Sequence, residues 1–273
     1  NGVAGGIVPQ LLEAIGAEVI PLYCEVDGTF PNHHPDPSEP HNLEDLIQTV
    51  KRFDADLGLA FDGDADRLGV VTKEGEIIFP DRLLMLFAAD VLERNPGALV
   101  IYDVKCTGKL QGWILRHGGT PLMWQTGHSL IKAKMRETGA ELAGEMSGHF
   151  CFASSARVSS RVLASRAQTP SEVLNALPNA LSTPEIKVPV PTGSPHDIVQ
   201  RFVDSAYFEG ARQSTIDGLR ADWEDGWGLV RASNTTPILV LRFEADNKEA
   251  LERIKDEFRA HLATVAPELK ATF

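Results

Sequence analysis

The strongest constraint on the fold is a unit that occurs twice: an amphipathic helix, a glycine stop, then an apolar run of strand length. Residues 8–24, VPQLLEAIGAEVIPLYC, put Leu11, Leu12 and Ile15 on one helical face, with Gly16 suited to a left-handed C-terminal cap and a strand to follow. Residues 110–125, LQGWILRHGGTPLMWQ, repeat the plan, with Trp113, Ile114 and Leu115 ahead of Gly118 and Gly119 and a strand over PLMW. Helices alternating with apolar strands specify α/β layers. The expected fold class is therefore α/β, with two related three-layer α/β domains built on mixed, mostly parallel sheets.

Between the two units lies a proline-rich connector, NHHPDPSEPHN (32–42), then a helix over 43–53 with Asn42 as its N-cap and acids in its first turn. DLGLAF (56–61) reads as a buried strand, RLGVVTKEGEIIF (67–79) as a hairpin turned at Glu74-Gly75, 82–94 as an apolar helix and ALVIYDV (98–104) as a second buried strand. From about residue 184 the rhythm changes. Strands over EIKVPV, QSTIDGLRADW, GWGLVRAS and PILVLRFEA are interleaved with a helix over PHDIVQRFVDS and followed by a final helix with Leu251, Ile254, Phe258 and Leu262 on one stripe. This predicts a smaller C-terminal α+β domain, with VPVPTGSP (188–195) as the hinge.

With 43% hydrophobic and 23% charged residues, the chain can bury a sizeable core. A net charge of −12 excludes a sequence-independent nucleic-acid binder, which needs a basic face, but leaves room for a small anionic ligand that meets local charge. No apolar stretch approaches membrane-spanning length, so no membrane partner is expected. Three widely spaced cysteines, Cys24, Cys106 and Cys151, fit reduced thiols in a cytoplasmic protein. The first residue is Asn1 rather than Met, as expected for the latter part of something longer.

LAFDGDADRLGVV (59–71) carries the sharpest chemical signal. Asp62, Asp64 and Asp66 alternate directly after a buried strand, at the strand edge where open α/β sheets bind ligands. Three converging carboxylates need a cation, and oxygen ligands without His or Cys favour Mg2+ over Ca2+ or Mn2+. For the acids alone, a solvated acidic turn is an equal reading. An EF-hand is rejected, because the required Gly and Glu positions hold Arg67 and Lys73. Arg67 tips the balance: a guanidinium beside a metal is what a phosphoryl group requires.

Other loops follow the remaining strands. DVKCTG (103–108) offers Lys105, which taken alone reads as a snorkelling surface lysine. WQTGHSLIK (124–132) offers His128 in a glycine-containing loop, with Lys132 nearby; a lone histidine is more often structural than catalytic. AGEMSGHF (143–150) alternates Glu145, Ser147 and His149, so a carboxylate and a hydroxyl can meet two neighbouring sugar hydroxyls. LVRASNTTPIL (229–239) crowds Arg231, Ser233, Asn234 and Thr235 into an anion cradle, against the simpler reading of a polar hairpin turn. No G-x-S-x-G motif supports a serine hydrolase, and no Walker or dinucleotide fingerprint occurs.

Together, DGDADR, GEMSGH and RASNTTP resemble the metal, sugar-recognition and phosphate-binding loops of the α-D-phosphohexomutase superfamily, in its bacterial phosphomannomutase/phosphoglucomutase branch. DVKCT, TGHSLIK and YCEVDGTFPNHHPDP are also similar to this branch, and the resemblance covers nearly the whole chain. Met146 fits glucose and mannose phosphates better than glucosamine phosphate, where Gln is usual. The resemblance implies domain two over 1–80, its first strand missing, domain three over 81–183 and domain four over 184–273. Two departures stand out. The family's T-x-S-H-N-P-type phosphoserine loop is not in this sequence, and relative to the family about ten residues are missing after Phe152, where ASSARVSSRVLASR follows directly and reads as a less apolar helix.

The implied reaction is reversible phosphoryl transfer between the 1- and 6-positions of hexose phosphates, through a phosphoserine and a hexose 1,6-bisphosphate that reorients. Mg2+ on Asp62, Asp64 and Asp66, with Arg67, would neutralise the moving charge. Glu145 and Ser147 would hold the 3- and 4-hydroxyls, and Arg231, Ser233, Asn234 and Thr235 the distal phosphate. Lys105, His128 and His149 would serve proton transfer or phosphate contact. The implied protein is a monomer or dimer acting on hexose monophosphates, and this chain without a phosphoserine loop is not expected to complete the cycle alone. The competing readings are a non-catalytic sugar-phosphate-binding module and a phosphoglucosamine mutase.

Overall fold

In the computed structural model the described residues are 1–153, 167–269 and 273. Of the segment that departs from the resembled family, 153–166, all but Ala153 lies outside them. No helix among the described residues is long and apolar enough to cross a membrane.

The N-terminal part departs from the expected mostly parallel sheet. Helix α1 (Val8–Ala14) forms and Gly16 takes its left-handed conformation (φ 96°), but residues 17–24 form no strand. The sheet here is antiparallel throughout, β1 (Leu57–Phe61), β2 (Leu68–Thr72) and β3 (Ile77–Ile78) in that order. A strand exists only where a neighbour pairs with it, and the outer edge of β1 has no paired strand among the described residues. Leu11 and Ile15, expected on a buried face, are 60% and 56% exposed for the same reason. Asn42 is not the N-cap of α2 (Glu44–Phe53): a short 3-10 turn, Pro40–Leu43, precedes that helix, and the Asn42 amide donates to Asp36 O at 2.9 Å.

The middle part matches the expected layering. Helix α3 (Pro80–Arg94) leads into β4 (Leu99–Asp103), α4 (Lys109–Arg116), β5 (Thr120–Trp124), α5 (His128–Thr138), β6 (Leu142–Gly144) and β7 (Phe150–Phe152). The sheet order is β5-β4-β6-β7, parallel except for β7. Parallel β4, β5 and β6 end at one edge and deliver three loops there. Val70 and Ile78 of the first sheet share a core with Leu83, Leu84, Met85 and Leu86 of α3, so the first hairpins are packed onto the middle unit. A short helix α6 (Pro170–Asn175) follows, closed by a Thr169–Glu172 capping box.

The C-terminal part is α+β, as expected. Strands β8 (Leu181–Ser182) and β9 (Ile186–Pro189) both pair with β13 (Ile238–Ala245), and β10 (Arg212–Ser214), β11 (Leu219–Trp223) and β12 (Gly226–Ala232) complete an antiparallel sheet. Val188 and Pro189, read as hinge residues, therefore lie within this sheet. The expected single strand over 213–223 is broken by a turn at Gly218 (φ 74°). Helices α7 (Pro195–Ser205) and α8 (Lys248–Val265) cover one face, with Ile254, Phe258 and Leu262 fully buried as the periodicity predicts.

The opposite face of this sheet docks on the loop after β4. Arg220 lies on the Trp227 ring, 3.8 Å from guanidinium carbon to centroid, and donates to Val104 O (2.7 Å) and Cys106 O (2.8 Å). Glu244 accepts from Thr107 Oγ1 (2.9 Å), Gly108 N–H (2.9 Å) and Trp227 Nε1 (3.0 Å). Arg242 donates to Lys105 O and reaches Asp81 at 3.4 Å.

Candidate active site

The acidic loop curls as its small residues allow: Ala65 adopts a left-handed φ of 66°, and one carboxylate oxygen from each of Asp62, Asp64 and Asp66 falls within 4.8 Å of the others. Asp62 is buried and the other two are exposed. Burial and repulsion from Asp66 and Asp64 raise the Asp62 carboxyl, although the Arg67 N–H donates to it at 3.1 Å. Arg67 Nε stands 3.4 Å from Asp62 and 3.9 Å from Asp66. An all-carboxylate donor set of this spacing suits a hard divalent cation.

The GEMSGH loop is joined directly to the acidic loop. Leu68 N–H donates to Gly148 O at 3.2 Å, and Gly148 has a φ of 100° that favours glycine. His149 is the bridge between them, with Nε2 at 3.1 Å from Asp66 and Nδ1 at 2.8 Å from Ser147 Oγ and 3.5 Å from Glu145 Oε2. Burial lowers the His149 pKa, and Asp66 only partly opposes it. A neutral imidazole able to take a proton near pH 7 results. Burial, then the neighbouring Asp103, pushes Glu145 up to about 7.

The loop after β5 carries the next link. Gly127 N–H donates to Glu145 Oε1 at 2.6 Å, and Thr126 O accepts from Asn234 Nδ2 at 3.4 Å. His128, expected in a loop, is instead the first residue of α5, its ring 5.5 Å from that of His149. Lys132 lies further along the same helix. Near the end of β12, Arg231 Nε donates to Asp217 at 2.9 Å, and in the loop that follows Ser233 Oγ accepts from Thr235 N–H and Thr236 N–H at 3.3 Å. Asn234 and Thr235 are exposed.

Lys105 is not a surface lysine. It is 6% exposed, and its ammonium donates to Glu185 at 2.6 Å. Burial alone would lower its pKa, but Asp103 and Glu185 outweigh that and raise it. Met146 packs in the core with residues of α3.

Three buried polar atoms along this path have no hydrogen-bond partner: Arg67 Nε, Glu145 Oε2 and Arg231 Nη2. Such orphans are rare unless a ligand completes them. Sequence reasoning missed Asp103, Thr126, Glu185 and Asp217. The first two stood inside loops already singled out, at the carboxyl ends of strands; the other two carry no local signal, because their partners are remote in the chain.

Comparison with known proteins agrees with this geometry. The descriptions "Phosphoglucomutase/phosphomannomutase, alpha/beta/alpha domain II", "alpha/beta/alpha domain III" and "C-terminal domain" match residues 1–75, 79–180 and 185–261. A phosphomannomutase/phosphoglucomutase of Pseudomonas putida is 56% identical over all of this chain and 61% of its own length. A phosphoglucomutase of Neisseria meningitidis is 57% identical over 95% of this chain and 59% of its own. A solved phosphoglucomutase/phosphomannomutase family protein from Burkholderia thailandensis superposes with a TM-score of 0.91 at 52% identity, over all of this chain and 60% of its own. The chain thus spans about three fifths of the length of these relatives. Three descriptions of one family, matched in numerical order along nearly all of the sequence, make this chain a member of the phosphoglucomutase/phosphomannomutase family.

Proposed function

We propose that this chain supplies the metal-binding, sugar-recognition and phosphate-binding parts of a phosphomannomutase/phosphoglucomutase, an isomerase that moves a phosphoryl group between the 1- and 6-positions of mannose and glucose phosphates. The observation that carries the reading is the unbroken contact path from Asp66 through His149, Glu145, Gly127 and Thr126 to Asn234, flanked by three orphaned polar atoms. A hexose phosphate needs those groups: hydroxyl partners in the middle and anion partners at each end.

Asp62, Asp64 and Asp66 would hold Mg2+, which supplies charge neutralisation for a transferring phosphoryl group. Arg67 adds a fixed positive charge at the same end. Glu145 Oε2 and Ser147 Oγ face the ring hydroxyls, and those contacts serve both orientations of a reorienting bisphosphate. His149, neutral and hydrogen-bonded to Ser147, takes a hydroxyl proton, with His128 beside it. Arg231 Nη2, Ser233, Asn234 and Thr235 receive the distal phosphate, and Lys105 lies ready to exchange Glu185 for a phosphate oxygen. The phosphoserine of the implied cycle has no counterpart loop in these residues. Three free thiols fit a reducing, cytoplasmic setting.

Calorimetry with glucose 1-phosphate and Mg2+ tests the reading. Binding is expected, and Arg231→Ala should weaken it by about tenfold or more, the loss of a charge-assisted pair, while Mg2+ affinity is unchanged. Failure of the unaltered protein to bind glucose 1-phosphate would overturn the proposal.

A further inference from the structure

Several loops of the candidate site meet on one buried carboxylate. Asp103, the last residue of the central strand β4, is fully buried. Its Oδ1 accepts from Met146 N–H (3.2 Å) in the sugar-recognition loop and from Cys106 Sγ (3.1 Å) in its own loop. Its Oδ2 accepts from Thr126 Oγ1 (3.0 Å) in the loop after β5 and stands 3.9 Å from Lys105 Nζ.

Thr126 engages every polar group it has. Beyond the hydroxyl, its N–H donates to Asp217 at 2.9 Å and its carbonyl accepts from Asn234. The same Asp217 oxygen holds Arg231 Nε. The next residue, Gly127, holds Glu145. One pair of residues, joined by the Thr126 hydroxyl on Asp103, therefore links the two sets: Asp103 holds the backbone of the loop that bears Glu145 and Ser147, and Thr126 is tied through its own backbone to Asp217 and Asn234.

We propose that Asp103 and Thr126 are a positioning pair that fixes the separation between the hydroxyl-recognition loop and the phosphate cradle, so that the site selects hexose phosphates by the span from ring hydroxyls to distal phosphate. The inference rests on the function proposed above. Its physical basis is preorganisation. The two loops belong to different sheets, and a ligand gains from gripping both only if their spacing is set before it arrives. Asp103 can set it because it stands on an interior strand, paired in parallel with β5 on one side and β6 on the other. Neither residue touches the substrate in this reading.

The test uses Thr126→Val, which removes only the hydroxyl and leaves the backbone contacts to Asp217 and Asn234. Affinities for glucose 6-phosphate and for inorganic phosphate are measured by calorimetry with Mg2+ present. Thr126→Val should weaken glucose 6-phosphate by about tenfold, the scale of one lost buried hydrogen bond, and leave inorganic phosphate within about twofold. Thr126→Ser should restore the original ratio, and Asp103→Asn should show the same selective loss as Thr126→Val. An equal loss for both ligands, or no loss for either, overturns the positioning role. A starting protein that binds both ligands equally would instead remove the functional reading, and this inference with it.

Discussion

Burial of Glu145 beside Asp103 holds its carboxyl at about 7, well above the ordinary 4.5 that it regains on unfolding. Between these values the folded state carries a proton that the unfolded state has lost, so this group's contribution to stability falls as pH rises from about 4.5 to 7. Glu145→Gln should therefore stabilise the ligand-free protein at pH 8 by about 3–4 kcal/mol, taking about 1.4 kcal/mol per pKa unit over the shift from 4.5 to about 7, because Gly127 N–H can still donate to the amide oxygen. Urea unfolding at pH 8 and pH 4.5 checks this: the gain should vanish at the lower pH. Hexose phosphate binding should fall in the same variant. A residue kept at a stability cost is the signature of a site.

At the scale of elements, the candidate site is made by strand ends and by a glycine that lets two loops touch. Gly148 joins the GEMSGH loop to the acidic loop through its carbonyl, and an added Cβ there would meet Arg67 Cβ and Leu68 O at 3.3 Å. Gly97 has a similar left-handed φ of 83°, but open space around it. Both alanine variants should cost about 1 kcal/mol in backbone strain. Only Gly148→Ala should also weaken Mg2+ and hexose phosphate binding, which parallel titrations of the two variants would show. Equal binding by both would mean that the loop contact is incidental.

Across the whole molecule, the C-terminal sheet is fastened to the middle unit by buried polar contacts as well as by Trp227 and Leu229 packed on Val104. Glu244 accepts three hydrogen bonds there and is 4% exposed. Glu244→Ala would strand those donors, at a cost of about 3 kcal/mol or more for a broken buried charge network. The C-terminal sheet has its own core, built on Phe202, Phe243 and Phe258, so the variant should unfold in two steps rather than one when followed by intrinsic tryptophan fluorescence and circular dichroism together. A single transition, shifted or not, would show that the interface survives without the carboxylate. Because Arg220 and Arg242 grip the backbone of the loop that bears Lys105, loosening this interface should also reduce hexose phosphate affinity.

The sequence alone determined the α/β and α+β halves, through helical periodicity, glycine stops and apolar strand runs, and it marked the DGDADR, GEMSGH and RASNTTP loops as candidates, because each packs its polar groups into a few adjacent residues. It could not decide whether residues 17–24 pair, since a strand depends on its neighbour and not on its own composition. Nor could it show that Lys105 is buried against Glu185, that His149 bridges Glu145 and Asp66, or that Asp103, Thr126 and Asp217 connect loops far apart in the chain. Those facts belong to the tertiary structure alone, because hydrogen bonding and burial act over a few ångströms of space, whatever the distance along the chain.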